Sequence, residues 1–97
     1  MNIEVLEIRF MKGDRATRGF ADVRMDDITI KDFRIYQTNG KPSVRNPFTT
    51  YKDFDGKLKF RQLINLPSNL QAEVNALILS EYFRRLKENT HEQQQSK

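Results

Sequence analysis

Up to Pro67 the apolar residues of this chain recur at every second position, and from Ser68 onward at every third or fourth. A period of two belongs to a strand with one face covered, and a period of 3.6 belongs to a helix. The change of period divides one short chain into a sheet-forming part followed by a single helix. Strands joined by tight turns pair antiparallel, so the order predicts an α+β domain: an antiparallel sheet of about five strands, then a C-terminal helix.

Two of the strands change parity part-way along. In "IEVLEIRFM" (3–11) Ile3 and Val5 share one face, whereas Leu6, Ile8 and Phe10 take the other. One extra residue in a strand exchanges its faces, so the switch predicts a β-bulge. "ITIKDFRIY" (28–36) does the same, passing from Ile28 and Ile30 to Phe33 and Ile35. Between them "RGFADVRM" (18–25) alternates regularly, with Ala21, Val23 and Met25 inward and Asp22 and Arg24 outward. Turn chemistry marks Lys12-Gly13-Asp14, Asp26-Asp27 and Asp55-Gly56, and most strongly Asn39-Gly40. A short strand around Ser43–Arg45 must stop near Pro47, which donates no hydrogen bond, and the last strand spans Lys57 to Leu66.

Ser68 is a good helix N-cap, and Gln71 three residues later completes a capping box. The periodicity carries the helix to Lys87, giving a single domain over 1–87. The remainder, "ENTHEQQQSK" (88–97), lacks apolar periodicity and reads as a disordered polar tail. The helix has two apolar stripes: Leu70, Val74, Leu77, Ile78 and Tyr82, and Ala72, Ala76, Leu79, Phe83 and Leu86. One sheet needs a single stripe of about 100°. The surplus predicts a second copy across a two-fold interface, assigned to Leu70, Val74, Leu77, Ile78 and Tyr82. The alternative is that Ala72, Ala76 and Leu86 are simply exposed. A 97-residue chain is short enough to gain from the second core.

Function classes narrow by what is missing. There is no cysteine, hence no disulfide or thiolate zinc site. No apolar run nears the roughly 20 residues of a membrane span. The start lacks the basic and apolar regions of a secretory signal, so the expected location is cytoplasmic. The only histidine, His91, falls in the predicted tail, where nothing holds a catalytic base in place. Asp53-x-Asp55-Gly56 lacks the remaining ligands of a calcium loop, and no phosphate-binding glycine motif occurs. An enzyme would require a ligand held by Asp26, Asp27 or Asp32. The expectation is no enzyme, no cofactor, no metal and no small-molecule substrate.

The cations are more informative. Seventeen basic side chains against thirteen acidic ones leave a net charge of +4, so placement matters more than total. Lys12, Arg15 and Arg18 cluster at the first turn, and Arg84, Arg85 and Lys87 near the helix end. Lys52, Lys57, Lys59 and Arg61 surround the Asp55-Gly56 turn, with Tyr51 and Phe54 between them. In a regular strand Lys57, Lys59 and Arg61 share a face opposite Leu58 and Phe60. Cations beside aromatics suit phosphates and unstacked bases, so Lys52, Lys57, Lys59, Arg61, Arg84 and Arg85 are candidate phosphate contacts and Tyr51 a stacking platform. A solvated charged face that blocks edge aggregation is the competing explanation.

Three segments together, "ITIKDFRIYQTNGKPSVRNP", "DGKLKFRQL" and "ALILSEYFRR", resemble the stage V sporulation protein G (SpoVG) family. The shared features are Asp32-Phe33-Arg34-Ile35, Asn39-Gly40, Pro47, Asp55-Gly56 and Leu79-Ser80-Glu81-Tyr82, in consistent order over residues 3–86. The resemblance implies a small dimeric bacterial regulator that binds DNA and RNA to modulate gene expression, linked to septation and sporulation. The loop after Pro47 departs from the family pattern, so the only basic contact carried over there is Lys52. A protein–protein interaction module without nucleic-acid binding is the other reading, supported by the apolar helix surplus and the open strand edges.

Overall fold

The computed structural model describes residues 1–12 and 16–95; Gly13, Asp14 and Arg15 of the first turn, the side chains of residues 89–95, including that of His91, and the last two residues lie outside the described residues. Six strands precede one helix: β1 (Ile3–Phe10), β2 (Thr17–Met25), β3 (Ile28–Thr38), β4 (Lys41–Arg45), β5 (Phe48–Lys52), β6 (Leu58–Gln62) and α1 (Ser68–Gln95). The first four form an antiparallel sheet in chain order, and β5 and β6 pair with each other as a separate ribbon. The architecture is α+β. Among the described residues no helix is long and apolar enough to cross a membrane.

Both parity switches are bulges. β1 pairs Val5 with Val23 but Glu7 with Asp22, leaving Leu6 as the extra residue and bringing Val5 and Ile8 to the same buried side. β3 pairs Ile30 with Val23 but Phe33 with Ala21, so Lys31 and Asp32 together face Asp22. Asp32 sits at φ 71, a left-handed conformation that Asp tolerates better than most residues. Asn39 (φ 54) and Gly40 (φ 88) both have positive φ, which is the type I′ hairpin turn that the Asn-Gly pair favours.

Asp22 is the residue whose polarity misleads. It faces away from the helix, as its parity predicts, yet it is only 6% exposed. Arg9 grips it with both terminal nitrogens, Nη1 to Oδ2 at 2.8 Å and Nη2 to Oδ1 at 3.0 Å. Arg9 also donates to Asp32 Oδ1 at 2.6 Å and to Glu7 Oε2 at 3.3 Å. The Asp32 backbone N–H, displaced from the ladder by the bulge, donates to Asp22 Oδ1 at 3.1 Å. One carboxylate thus satisfies the Asp32 N–H that the second bulge displaces.

The opposite face carries the core. Ala21, Val23, Phe33 and Ile35 are buried beneath Val74, Ile78 and Tyr82 of α1, with Val5, Ile8 and Met25 beside them. The helix crosses the sheet obliquely, from β4 near its start to β1 near its end. Phe10 meets Tyr82 at 5.7 Å between ring centres, and Arg85 Nη2 reaches the Val5 carbonyl at 3.4 Å.

Several sequence expectations change here. Of the helix residues assigned to a dimer interface, Val74, Ile78 and Tyr82 are buried in the chain's own core and Leu70 packs beside it; Leu77 is exposed. The sheet takes that stripe because its small Ala21 and Val23 lie directly below it. Gln71 does not serve the capping box: its carboxamide is locked to Asn46 by reciprocal bonds of 2.6 and 2.7 Å. The segment expected to be a disordered tail is helical as far as Gln95, since Glu and Gln are good helix formers and helix bonds are local. The last strand ends at Gln62, and residues 48–52, read as loop, form β5.

The Arg9–Asp22 pair generates two expectations. The Asp22 carboxyl is held below its ordinary 3.8, chiefly by the Arg9 hydrogen bonds and against the effect of burial. A lowered folded-state pKa means that this stabilisation is complete above 3.8 and is lost as pH falls through the folded value. Asp22→Ala should cost about 3 kcal/mol in urea unfolding at neutral pH, the low end for a broken buried pair because Arg9 is 38% exposed. The deficit relative to the parent should shrink below pH 3.8. Separately, Gly19→Ala would place a Cβ 2.7 Å from the Arg9 carbonyl oxygen, so a loss of about 1–3 kcal/mol is expected in the same measurement.

Candidate nucleic-acid interface

The ribbon is built from the segment in which cations and aromatics alternate. Its register pairs Thr49 with Arg61 and Tyr51 with Lys59 on one face. Phe48 with Gln62, Thr50 with Phe60 and Lys52 with Leu58 make up the other. What reads along the chain as a mixture is sorted by the strand period into two unlike surfaces. Lys57 continues the Tyr51–Lys59 face beside Asp53, whose N–H donates to the Lys57 carbonyl at 2.9 Å. Lys52 therefore stands on the opposite side from Lys57, Lys59 and Arg61, and the expected strip of four cations is a strip of three.

The turn between the strands is held by Asp53. Its Oδ1 accepts from the N–H groups of Asp55 and Lys57, both at 2.9 Å, and its carbonyl accepts from Gly56 N at 3.0 Å. Gly56 at φ 79 supplies the left-handed residue of a three-residue hairpin loop. Phe54 is left fully exposed at the tip. Lys59 Nζ lies 3.9 Å from Asp53 Oδ2, a solvent-exposed pair that leaves its charge available. The Arg61 guanidinium lies 5.6 Å from the Tyr51 ring centre, and the ring remains exposed.

A bare two-stranded ribbon is marginal alone, so its root must be held. Leu63 N donates to the Pro47 carbonyl at 3.0 Å. Asn46, buried beside them, donates to the Ile64 carbonyl at 3.3 Å as well as to Gln71. Phe48 and Phe60 meet edge to face at 5.6 Å.

The sheet face away from the helix holds a second cationic group that the sequence reading did not single out. Arg34 and Arg45 stand directly opposite each other on β3 and β4. The Arg34 guanidinium lies 4.5 Å from the Phe48 ring centre, 5.2 Å from Phe20 and 5.7 Å from Tyr36, whose hydroxyl accepts its Nη1 at 3.2 Å. Arg45 lies 4.8 Å over Tyr36. Neither has a carboxylate within ion-pair distance among the described residues, and Arg34 Nε is buried without a hydrogen-bond partner. The available sequence signal was the parity of Arg34, Tyr36 and Arg45, which places all three on one face.

The helix-end cations are placed differently. Arg84 pairs with Glu81 at 2.7 Å and Glu88 at 2.7 Å, and Arg85 with Glu81 at 2.9 Å. Glu81 is held below its ordinary value first by Arg84. Arg84 is exposed, whereas Arg85 helps to dock the helix on β1. They stand some 20 Å along the helix from Gln71, which marks the ribbon root, so one chain does not bring the two groups together. Arg15 lies outside the described residues. Among the acidic candidates, Asp26 accepts from Asn2 N at 2.9 Å and Asp32 is engaged by Arg9, so each already serves the fold. No group of three or more His, Cys, Asp or Glu able to hold a metal ion occurs among the described residues. No protein-family model and no curated protein matches the chain.

Proposed function

We propose that this protein is a dimeric nucleic-acid-binding regulator of the SpoVG kind, acting on gene expression through the outward face of its ribbon. The observation that carries this reading is the sorting of Lys57, Lys59, Arg61 and exposed Tyr51 onto one side of a projecting hairpin, with the apolar residues on the other. Cations at strand spacing follow a phosphate backbone, and a tyrosine among them stacks on an unpaired base. Arg84 adds a second contact in the assembled dimer, and Lys52 adds to the ribbon from its other side.

Exposed apolar positions support the second copy. Phe83 remains open on the back of the helix with Ala72 and Ala76 on the same surface, and Leu77 is exposed on the helix flank beside the buried stripe. This is the surface available to a two-fold partner once Val74, Ile78 and Tyr82 are committed to the sheet. Pairing there presents each cationic ribbon twice, which raises effective concentration on one strand of nucleic acid.

One observation favours a protein partner instead. Phe54 at the tip and Leu58 and Leu63 on the ribbon are exposed apolar side chains of the type that anchors protein interfaces. Binding to nucleic acid measured against salt separates the two. For the parent protein log affinity should fall linearly with log salt. Changing Lys57, Lys59 and Arg61 together to Ala should reduce that slope by about 2 on a single strand and weaken binding across sequences, with the mass in solution unchanged. Affinity indifferent to salt would remove the phosphate mechanism and leave the interaction module. For the assembly, light scattering should give twice the chain mass, reduced to one chain by Leu77→Lys combined with Phe83→Lys.

A further inference from the structure

Where the ribbon root, β4 and the start of α1 meet, the surface opens into a cleft of about 520 Å³. That volume is within the range that holds one small ligand. The ribbon's inner face forms one wall, through the rings of Phe48 and Phe60, and Phe60 is 65% exposed. Carboxamides form the floor. Asn46 and Gln71 interlock, and Gln71 Nε2 also donates to Asn75 Oδ1 at 2.9 Å. Gln62 Nε2 donates to the Ile64 carbonyl at 2.7 Å. These bonds fix Asn75 and Gln62 by one end each. Among the described residues the Asn75 Nδ2 donor and the Gln62 Oε1 acceptor make no hydrogen bond, so the cleft keeps one held donor and one held acceptor.

Arg45 stands at the rim, with Arg34 across the strand pair and no carboxylate among the described residues lining the cleft. Like charges placed directly opposite repel, and an anion between or beside them relieves that repulsion. The required ligand is flat enough to lie on a phenyl ring, carries donor and acceptor groups on its edge, and bears a negative charge beside that edge. A nucleotide meets all three conditions. Carboxamides read base edges, aromatic rings stack on base faces, and arginine takes phosphate.

We propose that this cleft takes a single unpaired nucleotide, the base against Phe60 with its edge at Asn75 and Gln62 and the phosphate at Arg45. The proposal rests on the nucleic-acid reading above and adds to it a second site that only a single strand can enter. In a duplex both faces of each base are stacked and its edge is paired, so the cleft cannot engage it. The cations on the outer face of the ribbon then supply affinity common to both forms, and the cleft adds to the single-strand stacking at Tyr51.

Fluorescence anisotropy on the full chain, with a labelled 12-nucleotide single strand and the same sequence as a duplex at one salt concentration, tests this. The parent protein should bind the single strand at least tenfold more tightly. Phe60→Ala and Asn75→Ala should each weaken single-strand binding about fivefold or more and leave duplex binding unchanged; neither side chain is part of the buried core, and unchanged thermal melting checks that both variants fold. In parallel, adenosine and cytidine monophosphates should shift the side-chain amide signals of Asn75 and Gln62 in NMR spectra. Equal affinity for the two forms, or equal losses on both in the variants, overturns the cleft inference and leaves the ribbon reading standing. Absence of binding to either form overturns both.

Discussion

A single carboxylate, Asp22 on the central strand, holds this sheet in register. The strands on either side of it are each bulged at that level, β1 at Leu6 and β3 at Lys31-Asp32. Each bulge exchanges the faces of its strand, and together they let Val5, Ile8, Phe33 and Ile35 all reach one core. A bulge leaves a backbone group without its ladder partner, and an unpaired buried donor costs about 1–3 kcal/mol. Asp22 accepts the Asp32 N–H and, through Arg9, ties β1 to the same point. The apolar pattern sets which residues go inward, and this ionic contact lets the backbone deliver them.

From that register the rest follows in order. The small side chains Ala21 and Val23 leave room for the helix to lie close, which buries Val74, Ile78 and Tyr82. The oblique crossing brings the helix start beside β4, where Asn46 and Gln71 interlock and fix the departure of the ribbon. The ribbon then projects with its cations turned outward and its rings turned toward the cleft. The two candidate surfaces are thus the two sides of one hairpin, separated by nothing more than the alternation of a strand.

Much of this was legible in the residues. The parity switches announced both bulges, Asn39-Gly40 announced its turn, and the change of period at Pro67 placed the helix within a residue of its start. Three features were hidden, each for a physical reason. β5 was masked because Pro47 suggested an end to pairing, although Thr49, Thr50 and Tyr51 are strand formers and the Asp55-Gly56 turn required a partner for β6. Gln71 was read as a cap because local spacing shows only local partners, whereas its actual partner lies 25 residues earlier. Asp22 looked solvent-facing because polarity alone does not reveal an arginine two strand positions away on a neighbour. At the candidate interface Lys57, Lys59 and Arg61 were grouped correctly by parity, and Lys52 was grouped with them only because the strand that carries it had been read as loop.

Among the described residues the ribbon pairs with no strand of the main sheet, and it is tethered at its root by Asn46, Pro47, Leu63 and Ile64. Its reach is therefore adjustable independently of the core. Matched insertions of two residues in each strand would lengthen both surfaces and keep their chemistry. An insertion of one residue in each would invert the hairpin, turning lysines onto the helix and phenyl rings into water. Viable length variants should accordingly come in even steps, a parity rule imposed by the backbone on any lineage that retains this appendage.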